Sequence, residues 1–75
     1  SSQAPKLAVV VPFLNEEDNI ERMGAAIVAA LEPLGHEFEI LLVDDGSTDD
    51  TPRLAREIAR RDARVRVIRF RRNYG

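Results

Sequence analysis

Seventy-five residues, 44% hydrophobic and 32% charged, make one small domain whose core is marginal for its size. That composition, with four Gly and four Pro, excludes a collagen-like, low-complexity or wholly disordered chain. The net charge of −2 conceals an asymmetry: residues 1–50 carry two basic and eleven acidic side chains, whereas residues 51–75 carry nine arginines against Glu57 and Asp62. Such polarity fits either a segment that meets a charged partner or two halves that neutralise each other across the fold.

No cysteine is present, so neither a disulfide framework nor a thiolate metal site can supplement the core. Every unbroken apolar run, Leu7 to Val11 included, falls far short of the ~20 residues that span a bilayer. Lys6 precedes only that short run, and no signal-peptide pattern follows it. The expectation is a soluble chain without a membrane segment, compatible with a reducing compartment: the cytoplasm or the cytoplasmic face of a membrane.

In chain order, Leu7-Ala8-Val9-Val10-Val11 is continuous rather than alternating, which predicts a strand covered on both faces of a parallel sheet. Pro12 lacks a ladder donor and is expected to end it. Ile20, Met23, Ile27, Ala30, Leu31 and Leu34 then recur at steps of three and four, the apolar stripe of a helix about five turns long. Asn15 with Asp18 resembles a capping box, and Gly35 is the expected stop. Phe38 to Val43 predicts a second strand, ending at Asp44-Asp45-Gly46. A second helix takes Thr51 as N-cap and Pro52 at its first position, with Leu54, Ala55, Ile58 and Ala59 as a narrow apolar face. Val65 and Val67 alternate with Arg64 and Arg66, which predicts a strand with one wetter face.

Strand, helix, strand, helix, strand with short connections is a βαβαβ unit with right-handed crossovers. It is half of a doubly wound α/β parallel sheet. Ligands of such sheets bind beyond the carboxyl ends of the strands. Two polar clusters fall there, Pro12-Phe13-Leu14-Asn15-Glu16 and Asp44-Asp45-Gly46-Ser47, and adjacent strands bring them to one rim. An ionised Asp only accepts hydrogen bonds, so it selects a ligand edge with N–H or O–H donors, such as a nucleobase imide or a ribose hydroxyl. Turn chemistry explains Asp44-Asp45-Gly46-Ser47 as well, and helix capping explains Asn15. His36 reads as a surface loop residue, and Met23 and the three Phe as core. G-x-G-x-x-G and the P-loop pattern are both absent, and Ser47 has no nucleophile-elbow context.

VVVPFLNEEDNI, EILLVDDGSTDDT and VRVIRFRRNYG, in this order and at these separations, resemble the N-terminal third of inverting GT-A glycosyltransferases. The similarity is to dolichyl-phosphate mannosyltransferase-type and polyprenyl-phosphate sugar transferases, and it covers about Lys6 to Gly75. The resemblance implies a truncated βαβαβ half of a Rossmann-like GT-A sheet, with residues 1–75 the incomplete nucleotide-binding part of the domain. It implies a UDP- or GDP-sugar donor, Mg²⁺ or Mn²⁺, and a lipid-phosphate or glycan acceptor. Pro12, Leu14 and Glu16 match the loop that lines the nucleoside, and Val43 and Asp45 match the end of strand two, with Asp44 the next candidate. Leu14 stands where members often have Tyr. Arg71, Arg72 and Asn73 match a segment near the donor phosphates. The family's D-x-D metal motif and general base would lie beyond Gly75, so no catalytic residue and no metal ligand is expected within the chain.

A second reading, from another class, is a non-catalytic nucleotide-binding or response-regulator-like interaction module, since an acidic pair after a strand also suits phosphoacceptor chemistry. Such a module needs a further Asp and a Lys at later strand ends. A nucleic-acid binder using the arginine tail is disfavoured, because a solvated strand face explains the alternating arginines. Self-association or only partial folding is expected of the chain on its own, since an unpaired edge recruits other chains and an incomplete core leaves apolar surface exposed.

Overall fold

Lys6 to Phe70 are the residues that the computed structural model describes. Within them lie β1 (Leu7–Phe13), α1 (Ile20–Leu31), a 3₁₀ turn (Glu32–Leu34), β2 (Phe38–Asp44), α2 (Thr51–Arg61) and β3 (Val65–Arg69). The strands are parallel in the order β1-β2-β3, with Val11 opposite Leu42 and Leu42 opposite Val67. This is the α/β architecture expected of half a GT-A-type sheet.

The core sits between the sheet and the two helices. Phe13, Phe38, Ile40, Leu42 and Val65 bury one face of the sheet against Ile20 and Ala55, with Val11, Met23, Ile27, Leu54, Ile58 and Val67 packed around them. β2 is central, which is why its apolar run is the most buried of the three. β1 departs from expectation: its residues alternate, and Val10 is 60% exposed. Both helices pack on one face, so among the described residues the other face of β1 has no cover, and its Val and Ala residues simply fit a pleated surface. Pro12 does not end β1 either. It sits on an edge strand opposite Val43, where its missing N–H need not serve the ladder, and β1 runs on to Phe13.

The helix termini also move. α1 starts at Ile20 with Asn19 as N-cap, four residues later than Asn15. Its stripe is Ile20, Met23, Gly24, Ile27, Val28 and Leu31; Ala30 and Leu34 lie exposed. Gly35 ends the segment as expected, in the left-handed region at φ 75. α2 is preceded by Asp50, so Thr51 is its first residue and Pro52 its second. Phe13 and Phe38 are core, but Phe70 is exposed. The Arg64 guanidinium stacks over the Phe38 ring, 4.5 Å from its centroid. His36 lies on the surface.

Gly24 of α1 faces Ile58 of α2. A Cβ built there would lie 3.6 Å from Ile58 Cδ1, an ordinary contact distance. Gly24→Ala is therefore expected to raise stability by about 0.5–1 kcal/mol through helix propensity, as read from a urea melt. A destabilisation would mean that the two helices cannot accept even a methyl group.

Candidate functional site

The ends of β1 and β2 are stitched into one rim. Phe13 and Asp44 are the last register pair, and the next N–H, that of Asp45, donates to the Phe13 carbonyl at 3.0 Å. Beyond it the two loops exchange side-chain bonds across more than thirty positions of sequence. Asn15 N–H donates to Ser47 Oγ at 2.9 Å, and Glu16 N–H to Thr51 Oγ1 at 2.8 Å. In return, Asn15 Oδ1 accepts from the N–H groups of Thr48 at 2.8 Å and Asp49 at 3.3 Å. Asp50 N–H donates to Glu17 Oε1 at 2.9 Å.

These bonds explain the shifted helix starts. Asn15 takes the left-handed conformation at φ 53, which Asn tolerates better than most residues, and its side chain turns to the other loop instead of capping α1. Glu16 supplies the entry to α1 through its backbone: its carbonyl accepts from Asn19 N–H at 2.9 Å and Ile20 N–H at 2.7 Å. Thr51 is wholly buried, and its hydroxyl donates a short bond to Asp49 Oδ1 while accepting from Glu16 N–H. A buried hydroxyl used in both directions is well satisfied.

Of the residues named from sequence, Pro12 and Leu14 are exposed at the rim, Glu16 is half-buried, and Val43 is buried opposite Pro12. The acidic pair splits as adjacent strand-end residues do. Asp44 is wholly buried, with Oδ1 accepting the N–H groups of Gly46 at 3.1 Å and Ser47 at 2.8 Å. Asp45 is half-buried at the rim. Gly46, at φ 99, makes the turn between them and the loop. Arg71, Arg72 and Asn73 lie outside the described residues. Asn15, Ser47, Thr51 and Asp49 were not singled out as a group. Their signal is the run of short polar side chains in Ser47-Thr48-Asp49-Asp50-Thr51, whose partners sit in a loop far away in sequence.

Charge at the rim is mostly negative, from Glu16, Glu17, Asp18, Asp45, Asp49 and Asp50. Among the described residues no three carboxylate or imidazole groups converge as a metal site. A groove of about 540 Å³ runs between α1 and α2, floored by Gly24, Val28 and Ile58, and none of its lining residues belongs to the two loops.

Three carboxyl groups are held below their ordinary value of 3.8. For Asp62 the cause is the Arg64 guanidinium and N–H, and for Asp50 it is chiefly Arg53. For Asp49, burial pushes upward, but the Thr51 hydroxyl and the N–H groups of Thr51 and Glu17 together outweigh it. A depressed folded-state value stabilises the fold above the unfolded value and is lost as pH falls through the folded one. Stability should therefore be flat near neutrality and fall once the pH drops below the ordinary Asp value of 3.8. Asp62→Asn is expected to lower stability at neutral pH and flatten that acid limb, as followed by circular dichroism. An unchanged acid limb would contradict the role given to Asp62.

A sequence model of Glycosyl transferase family 2 matches residues 8–75. The chain is 40% identical over 70 residues to an undecaprenyl-phosphate 4-deoxy-4-formamido-L-arabinose transferase of Edwardsiella ictaluri, covering 92% of this chain and 22% of that protein. It is 41% identical over 71 residues to the transferase of the same name in Klebsiella pneumoniae, covering 93% of this chain and 22% of that one. A dodecaprenyl-phosphate galacturonate synthase of Rhizobium johnstonii is 38% identical over 74 residues, covering 97% and 22%. The chain thus spans about a fifth of the length of these relatives. With the family match over nearly its whole length and the parallel βαβαβ sheet beneath it, the chain belongs to glycosyl transferase family 2.

Proposed function

We propose that this chain is the nucleoside-binding part of a glycosyltransferase that moves a sugar from a UDP- or GDP-sugar to a polyprenyl or dolichyl phosphate. The observation that carries the reading is the hydrogen-bonded union of the β1 and β2 loops at the carboxyl ends of the strands, with Asp45 at its rim. Pro12, Leu14, Glu16 and Val43 would line the nucleoside, and the Asp45 carboxylate would accept from a base or ribose donor. Arg71 and Arg72 would face the donor phosphates. The relatives' names, two of which specify undecaprenyl phosphate and one dodecaprenyl phosphate, favour a lipid-phosphate acceptor.

A divalent cation, Mg²⁺ or Mn²⁺, belongs to the proposal, but the described residues do not fit one: Asp44 is buried on backbone N–H groups, and Asp49 is held by Thr51 and Glu17. Its ligands, and the group that activates the acceptor, would lie outside this chain, and no step is assigned to them. No helix among the described residues is long and apolar enough to cross a membrane. A lipid-phosphate acceptor with a soluble nucleotide donor nevertheless favours action at the cytoplasmic membrane face.

Transfer of radiolabel from UDP- and GDP-sugars to undecaprenyl phosphate by the full-length enzyme in membranes tests the reading. Labelled lipid phosphate is expected with one donor class, whereas label released only as free sugar, or retained in every donor, would overturn it. The 75-residue chain alone should transfer nothing and should self-associate through β1, an edge strand with Val10 exposed. Light scattering that showed a monomer with a cooperative two-state melt would contradict the self-association.

A further inference from the structure

Asp44 is the one wholly buried carboxylate among the described residues. It stands where both ladders finish, opposite Phe13 in β1 and Arg69 in β3, and its carbonyl accepts from Phe70 N–H at 2.9 Å. A buried carboxylate is costly unless its oxygens are used. Oδ1 is used twice, by Gly46 and Ser47. Oδ2 has no hydrogen-bond partner among the described residues, yet Arg69 Nε stands 3.6 Å away, and the arginine side chain is half-exposed.

We infer that Asp44 is a positioning residue for the rim: Oδ1 sets the Asp45-Gly46-Ser47 turn, and Oδ2 draws the Arg69 guanidinium in over the strand ends. The division follows from the geometry. The turn needs an acceptor but not a charge, because two neutral N–H groups point at Oδ1. The arginine needs the charge, because at 3.6 Å the attraction is Coulombic rather than a formed hydrogen bond, with the carboxylate end buried and the guanidinium end half-exposed. Arg69 is in turn the described cation tied to the end of β2, on a rim where carboxylates predominate. Its guanidinium, held there by Asp44, would offset that negative field for an anionic nucleotide. The assignment to nucleotide binding rests on the function proposed above; the two tasks of Asp44 do not.

Asp44→Asn separates the tasks. An amide retains one oxygen for Gly46 and Ser47 but turns an NH₂ donor toward Arg69, donor against donor. Arg69→Gln removes the second task alone, and Asp44→Ala removes both. In the purified protein, Asp44→Asn and Arg69→Gln should each weaken UDP or GDP binding by about tenfold in calorimetry, and the double variant should be no weaker than either single one. Amide hydrogen exchange at Gly46 and Ser47 should stay near wild type in both single variants and rise in Asp44→Ala. The Arg69 Nε–H resonance should shift in Asp44→Asn. Multiplying affinity losses, an unshifted Arg69 resonance, or wild-type exchange in Asp44→Ala would each overturn the inference. Should Asp44→Ala fail to fold, Asp44→Asn and the resonance decide alone. If the wild type binds neither UDP nor GDP, the proposed function fails, while exchange and resonance still judge the two tasks of Asp44.

Discussion

Replacing Asp45 by Ala is expected to weaken UDP or GDP binding about ten- to hundredfold, the loss of one charge-assisted hydrogen bond of about 1.5–3 kcal/mol. Asp45 follows the buried strand β2, and its N–H is anchored on Phe13, so the backbone of this position is fixed before any ligand arrives. Asp49 is the matched control. It lies in the same loop, but its carboxylate is occupied by the Thr51 N–H and hydroxyl and by the Glu17 N–H. Asp49→Ala should therefore lower the melting temperature more than it lowers affinity. Equal calorimetric losses for the two variants would sink the assignment of Asp45.

Leu42→Ala carries the largest expected cost in stability. Leu42 is 1% exposed in the middle of the central strand, with Val11 and Val67 beside it in register. Removing its branched end leaves a cavity between the sheet and both helices, and such truncations cost about 2–5 kcal/mol. A domain of this length is stable by only about 4–11 kcal/mol, so the variant should sit near the edge of folding. Val10→Ala, on the uncovered face, should cost less than about 0.5 kcal/mol. Urea midpoints settle the comparison, and similar shifts for the two variants would place the core on the wrong side of the sheet.

The contrast between these two positions shows what the sequence could reveal. Both lie in unbroken apolar runs, and the run alone does not distinguish a strand covered twice from one covered once. β2 was legible because Ile40-Leu41-Leu42-Val43 are apolar at every step up to Asp44. β1 was not, because Val suits an exposed pleat almost as well as a buried one. The order of elements and the parallel sheet followed from spacing, since runs separated by amphipathic stretches leave few other topologies.

The helix starts were misplaced for a different reason. Asn15 and Thr51 are good capping residues, and local rules assign them to the helices they precede. In the fold each serves the other loop: Asn15 Oδ1 holds Thr48 and Asp49, and the Thr51 hydroxyl holds Glu16. Bonds between residues more than thirty positions apart have no local signature. The same limit applied to Asp44 and Asp45, which are chemically identical in sequence. Only the pleat of β2 and the turn at Gly46 send the first inward to backbone N–H groups and leave the second at the rim.

The central claim is that the joined β1 and β2 loops form the nucleoside site. Hydrogen–deuterium exchange of the purified protein, with and without saturating UDP or GDP, tests it most directly. One nucleotide should protect the segments 12–17 and 43–50 and leave the facing surfaces of α1 and α2, around Gly24 and Ile58, unchanged. Protection confined to the groove between the helices, or protection of neither loop by either nucleotide, would contradict it.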